Sequence, residues 1–157
     1  MPCRKWNCKT CGMVSKKDFV TDPNGKKIST AVGQCNTRCL IYHASCGYCV
    51  KCYTGKTTQP LNGRVSGHRG KFYDCLQYNG DRLDLDVDDD HALGLHLYLQ
   101  HGVRNPTGFN ESYSFTVLER CNPRNIDLKE HLWIQRLKTV KPYGLNSHDP
   151  FGFPTTL

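Results

Sequence analysis

Residues 40–69 read LIYHASCGYCVKCYTGKTTQPLNGRVSGHR, and the fold turns on this stretch. Leu40-Ile41-Tyr42 and Cys52-Tyr53-Thr54-Gly55 have the aromatic and β-branched character of strands. Between them CGYCVK makes a tight cysteine turn, so the two segments form a hairpin and Tyr42 and Tyr53 lie on paired strands. Thr57 or Thr58 then caps a helix whose first turn takes Pro60. On that helix Arg64 and His68 stand four residues apart and share a face. Two phenols, a guanidinium and an imidazole converge. That set suits a phosphodiester: Arg grips phosphate in a bidentate fork, and Tyr and His move protons. Gly63, Gly67 and Gly70 weaken the helix by about 1 kcal/mol each, so packing must hold it, or it ends early. Close approach of a backbone or ligand is one reason for glycine there.

The preceding residues, 1–39, are basic, turn-rich and cysteine-rich. Phe19–Thr21 and Lys27–Ala31 flank Asp22-Pro23-Asn24-Gly25, which predicts a hairpin. The hairpin returns Cys35 towards Cys8 and Cys11, and with Cys3 four thiolates can close a tetrahedral zinc site. Cys39 is an alternative ligand. Closely spaced Cys pairs, with no signal-like apolar run in MPCRKWNCKT, point to zinc rather than disulfides and to an intracellular protein. No apolar run approaches the roughly 20 residues of a membrane span. Hydrophobic residues are 38% of the 157, a lean core that metal would reinforce. Lys and Arg number 21 against 14 acidic residues, net +7, and the only acidic residues before Asp74 are Asp18 and Asp22. The surplus suits a polyanionic partner.

Further on, residues 79–90 (NGDRLDLDVDDD) read as a solvated acidic loop. Asp84, Asp86 and Asp88 imitate the start of a calcium loop, but Asp89 and Leu95 stand where it needs Gly and Glu. Residues 91–101 (HALGLHLYLQH) predict a short helix with Leu93 and Leu97 inward. His96 and His101 are about 140° apart on a regular helix, so both reach one metal only if the last turn distorts or His101 lies beyond its end. A second zinc site would join them to Cys46 and Cys49, with His68 and His91 as rival ligands. Residues 103–110 read as loop. Residues 112–118 alternate as a half-buried strand, and Asn110-Glu111-Ser112 is a sequon in a non-secretory context. Residues 126–140 form the best helix, with Asp127 and Glu130 as a capping box and Pro142 and Gly144 beyond its end. The tail, NSHDPFGFPTTL, is irregular.

Taken in order, these residues resemble the GIY-YIG nuclease superfamily, and most closely the endonuclease domain of Penelope-like retroelements. Leu40-Ile41-Tyr42 stands at the first motif and Tyr53-Thr54-Gly55 at the second. Arg64 and His68 match the Arg-x3-His of the next helix, and Glu130 and Asn146 the family's Glu and terminal Asn. Cys46 and Cys49 between the motifs mark the Penelope-like branch. Leu40 replaces the first motif's Gly and Thr54 the second's Ile. The resemblance implies an α+β fold, a small three-stranded antiparallel sheet flanked by helices. A zinc-binding extension (1–39) precedes an endonuclease domain (40–157) carrying a two-Cys, two-His zinc insert. It implies DNA nicking with one Mg²⁺ or Mn²⁺ held by Glu130. Tyr42 lies near the attacking water, Tyr53 hydrogen-bonds at the centre, Arg64 binds the scissile phosphate, His68 assists proton transfer and Asn146 orients the site. It further implies a nuclear domain of a larger reverse-transcriptase protein acting with its RNA, nicking DNA to prime reverse transcription. A zinc-stabilised nucleic-acid-binding module without catalysis is the alternative.

Overall fold

The computed structural model describes Cys3 and residues 7–78 and 89–147. The acidic stretch 79–88 and the tail from residue 148 onward fall outside the described residues, and so do the expectations placed on them. Five strands and four helices follow in order: β1 (Phe19–Thr21), β2 (Lys27–Ser29), β3 (Leu40–Cys46), β4 (Cys52–Thr57), α1 (Leu61–Tyr78), α2 (Ala92–Leu95), α3 (Gly108–Ser112), β5 (Tyr113–Arg120) and α4 (Ile126–Leu137). β1 and β2 form a separate hairpin. Asp22 accepts the Asn24 and Lys26 N–H groups there, each at 2.9 Å, and Gly25 takes the left-handed conformation, φ 84°. The fold is α+β, and its centre is an antiparallel sheet in the order β4-β3-β5.

The central strand, β3, explains the layering. Its alternate residues Leu40, Tyr42, Ala44 and Cys46 pack with Phe115 and Val117 of β5 and with Leu61, Val65 and Phe72 of α1. Ile41 faces the other way, with Leu118 and with Ile126, Trp133 and Leu137 of α4. Both faces of the sheet are therefore covered. Thr116 and Leu118 are buried as well as Phe115 and Val117, so β5 is more enclosed than the half-buried strand expected from its alternation. A bulge adjoins the first tyrosine: Ile41 pairs with Glu119 but Tyr42 with Val117. Bulges of this kind re-aim side chains beside functional sites.

Helix α1 runs straight through its three glycines for 18 residues. Apart from the helix's own backbone, no protein atom lies within 4 Å of where their Cβ atoms would stand, so close packing within the described residues does not account for them. What holds the helix is its ends and one face. Pro60 sits just before the first residue rather than inside the first turn, and Thr57 Oγ1 accepts from Gln59 N, a turn bond ahead of the helix. The helix's own first N–H groups go elsewhere: Leu61 N donates to Thr37 O at 3.0 Å and Asn62 N to Cys35 O at 2.6 Å. The cysteine-rich lead thus caps α1. Farther along, the buried Arg69 donates to Asn110 Oδ1 at 2.7 Å and to Thr10 Oγ1 at 3.5 Å, joining lead, α1 and α3. The sequon asparagine is spent on this contact.

The segment expected as open loop closes with α3, a single turn before β5. Helix α4 begins after Asn125, not at a capping box on Asp127, and it stops at Leu137, where Lys138 takes φ 53°. Asp127 and Glu130 are second and fifth in the helix, and neither is its N-cap. Residues 139–146 then fold back on the outer edge of β4. Leu145 N donates to Cys52 O at 2.9 Å. The buried Asn146 side chain accepts Thr54 N–H at 2.9 Å and donates to Thr54 O at 2.7 Å. One amide therefore imitates a neighbouring strand and closes an edge that would otherwise expose a ladder.

Replacing Asn146 by Ala strands both polar groups of Thr54, a fully buried residue. The variant should lose about 2–4 kcal/mol in denaturant unfolding. A change below about 0.5 kcal/mol, the size of a neutral surface substitution, would show that the edge does not need this amide.

Candidate active site and metal centres

Two groups of Cys and His gather their ligand atoms within 4.8 Å of one another: Cys3, Cys8, Cys11 and Cys35, and Cys46, Cys49, His96 and His101. They are the two sets expected from spacing, with Cys39, His68 and His91 outside both. In the first, sulfur–sulfur separations are 3.3, 3.4 and 3.8 Å. Zn–S bonds of 2.3 Å in a tetrahedron place sulfurs roughly 3.8 Å apart, so the donor set fits zinc. Burial opposes ionisation of Cys8, but the Cys11 and Thr10 N–H groups outweigh it and bring the thiol to about 7. Burial, then the neighbouring thiols, push Cys35 up. A bound cation would relieve that repulsion by holding thiolates.

The second group spans the β3–β4 turn and the segment after α2. Cys49 Sγ lies 3.3 Å from His96 Nε2, which lies 3.1 Å from His101 Nε2. The Tyr48 N–H points at Cys46 Sγ, 3.4 Å away, and the Tyr48 ring stacks on His101. Burial, then the charges near His101 and Lys51, lower His96 to about 4, so the imidazole stays neutral as a ligand must. The distortion needed to align the two histidines is a π turn over His96–Gln100. Hydrogen bonding from i to i+5 stacks residues five apart, where a regular helix would splay them.

Tyr42 is the meeting point of the other predicted residues. Its hydroxyl lies 2.7 Å from His68 Nε2 and receives Arg64 Nε–H at 3.2 Å. Arg64 can only donate, so the Tyr42 oxygen accepts from it; a neutral His68 protonated on Nδ1, which is buried with no hydrogen-bond partner among the described residues, would take the phenol proton at Nε2. The Tyr53 ring stands edge-on to His68 at 5.5 Å and tilted to Tyr42 at 6.2 Å. Gly55 pairs with Tyr42 across the strands, and a Cβ there would strike the Tyr42 phenol and lie 2.8 Å from Tyr53 Cε1. Only glycine leaves room for both rings. Burial raises Tyr42 to about 12 despite Arg64. Burial, then Arg64, lowers His68 to about 3. Both groups are therefore neutral across the ordinary pH range.

Beside this cluster a cleft of about 690 Å³ runs along the edge of β4 between α1 and α4. Arg64 of α1, Tyr53 and Lys56 of β4, Asp127 and Glu130 of α4, and Asn146 all line it. Glu130 is held there because α4 is pinned to β5: Trp133 Nε1 donates to Glu119 at 3.0 Å, and Lys129 pairs with it at 2.7 Å. Lys56 pairs with Asp127 and sits 3.7 Å from Glu130 Oε1. Asn146 lines the cleft, but its amide is committed to Thr54. Two neighbours went unnoticed in the sequence. Lys56 follows Gly55 directly. Asp90, from the end of the acidic stretch, pairs with Arg64 at 2.9 Å. The basic surplus pointed to Lys56's chemistry without its place, and no local signal marked Asp90.

Among known proteins, no family model, no curated protein and no solved structure matches this chain. Among the described residues no helix is long and apolar enough to cross a membrane.

Elemental analysis should find two zinc per chain, with chelation unfolding the protein cooperatively. His96→Ala should keep one zinc and His68→Ala both; the reverse would exchange their roles. A second outcome concerns pH. The folded values of His43, about 4 from burial, and His68, about 3, both lie below the ordinary 6.5. The unfolded chain binds more protons, so stability is complete above pH 6.5 and declines as pH falls towards 4, each group contributing up to about 1.4 kcal/mol per pH unit. Unfolding free energies at pH 7.5, 6.5 and 5.5 at constant zinc test this, and an increase on acidification would contradict it.

Proposed function

We propose that this chain is a metal-dependent DNA endonuclease of the GIY-YIG type, of the Penelope-like branch. It nicks target DNA so that a larger retroelement protein, acting in the nucleus with its own RNA, can prime reverse transcription. The observation carrying this reading is the convergence of His68 and Arg64 on the Tyr42 hydroxyl beside a cleft that both Arg64 and Glu130 line. The sheet order β4-β3-β5 with helices on both faces agrees with the small sheet that the resemblance implies.

In this reading the DNA phosphate lies in the cleft against Arg64, whose remaining N–H groups bind it and stabilise its developing charge. In this reading a water entering from the cleft meets the Tyr42 hydroxyl, which is buried beside the cleft-lining Arg64 and Tyr53 and accepts from Arg64. With Tyr42 near 12 and His68 near 3, a resting phenolate or imidazolium is unfavourable. Tyr42 therefore orients the water and takes its proton only as its own moves to His68. Tyr53 closes the cluster from β4, and Asn146 keeps that strand in place. Glu130 would hold Mg²⁺ or Mn²⁺; one carboxylate fits a cation that keeps most of its waters and shares substrate phosphate. The cation supplies Lewis-acid neutralisation of the phosphate and leaving oxygen.

A binding module without catalysis is favoured by one observation. Lys56 already supplies Glu130 with a counter-charge, which a pure binder could use for structure alone. Nicking of supercoiled plasmid with and without Mg²⁺ separates the two.

Glu130→Ala should abolish nicking and leave DNA binding intact or tighter, since a carboxylate facing phosphate is removed. Because Glu130 does not cap α4, no cap penalty should accompany the change. Nicking at the wild-type rate by the folded variant would disprove the role. Arg64→Ala should lose at least about 100-fold in rate. Arg64→Lys should recover little of it, for lack of the planar fork.

A further inference from the structure

Arg64 has a second partner whose position is informative. Its Nε–H goes to Tyr42, while one NH2 proton goes to Asp90 Oδ1 at 2.9 Å. Asp90 is not among the residues lining the cleft that Arg64 borders. The carboxylate takes one Nη2 proton of the guanidinium and makes no claim on the Nη1 donors. Asp90 lies in a 3₁₀ turn, Asp89–His91, that leads straight into α2. α2 is seated on α1 with little freedom: a Cβ on Gly94 would come within 2.8 Å of Phe72 Cα. The same segment continues through the π turn to His96 and His101. Asp90 is thus carried by the element that the second Cys/His group ties to the β3–β4 turn.

A guanidinium on a long side chain has several rotamers, and ordering it costs entropy. Two fixed contacts on different N–H groups remove that freedom before a phosphate arrives. Tyr42 holds the Nε edge and Asp90 one NH2 proton, leaving the NH1 donors and the second NH2 proton to face a ligand. The pair is partly exposed, 30% for the Arg64 side chain and 47% for that of Asp90, so its value lies in orientation more than in stability.

We propose that Asp90 is a positioning residue that fixes the Arg64 fork towards the cleft, and that it does so from the segment after α1 that carries His96 and His101 of the second Cys/His group. This rests on the reading of the cleft as a phosphodiester-cleaving site. Asp90 touches no substrate; it acts through Arg64.

The test uses the full, zinc-loaded chain. Asp90→Asn is compared with wild type in single-turnover nicking of supercoiled plasmid, in DNA affinity by anisotropy without Mg²⁺, and in the Arg64 Nε–H signal by ¹H–¹⁵N NMR. Rate should fall about 10-fold, as expected when a transition-state contact is misaligned, with affinity unchanged or tighter. The Arg64 Nε–H signal should broaden or shift. Asp90→Glu, which keeps the charge one methylene away, should fall between the two. In an Arg64→Gln background, Asp90→Asn should cost nothing further. A wild-type or faster rate in Asp90→Asn, or an undiminished loss without Arg64, overturns the proposal; a faster rate would make Asp90 a competitor of phosphate. If Asp90→Asn loses zinc or helix content, Asp90→Glu decides, and it must be slower than wild type. If wild type does not nick DNA, the nuclease reading fails by itself. The NMR signal then judges Asp90 alone, and an unchanged Arg64 signal in the variant overturns its positioning role.

Discussion

The hydroxyl of Tyr42 is the point on which the rest of the structure depends. It is buried in the central strand, lies 2.7 Å from His68 Nε2 and accepts a proton from Arg64 Nε. Each partner needs its own support. The β3–β5 bulge sets the strand on one side of Tyr42. Gly55 clears space for the ring on the other side. Helix α1 brings His68 and Arg64 one turn apart onto the same atom. A buried network of this kind is strong only while every member is satisfied, and His68 Nδ1, buried with no hydrogen-bond partner among the described residues, is its weak point.

The Cys/His groups act at a distance from that hydroxyl but on the same elements. Cys35 belongs to the first group, and its carbonyl caps Asn62 at the start of α1. Cys46 and Cys49 belong to the second, which spans the turn between the strands that carry Tyr42 and Tyr53. Zinc held by these groups would add to the apolar burial that already joins the strands and α1. Their geometry suits zinc at both places.

Much of the fold was legible because its signals are local. β-branched and aromatic runs marked the strands, Pro-Asn-Gly marked the first hairpin, and Cys spacing marked both ligand sets. What was not legible depended on contacts between distant segments. Nothing near His96 announces a π turn, although its need followed from the angle between two histidines that share one site. The Asp127–Glu130 spacing imitates a capping box, yet Asp127 turns to Lys56 and the helix starts after Asn125. The resemblance gave Asn146 the role of orienting the site, and its side chain is bound to Thr54 at the open edge of β4. Asp90 belongs to a run of aspartates whose composition reads as solvated, and only the packing of α2 on α1 brings it to Arg64.

The central claim is that a neutral His68 takes the Tyr42 proton on Nε2. Long-range ¹H–¹⁵N NMR of the imidazole nitrogens, followed between pH 8 and pH 5, measures this directly. The structure predicts the Nδ1–H tautomer, an Nε2 shift typical of a hydrogen-bonded acceptor, and no titration over that range, since burial and Arg64 hold the group near 3. An Nε2–H tautomer, or an imidazolium forming near pH 6.5, would mean that the phenol has no acceptor in His68 and would contradict the account at its base.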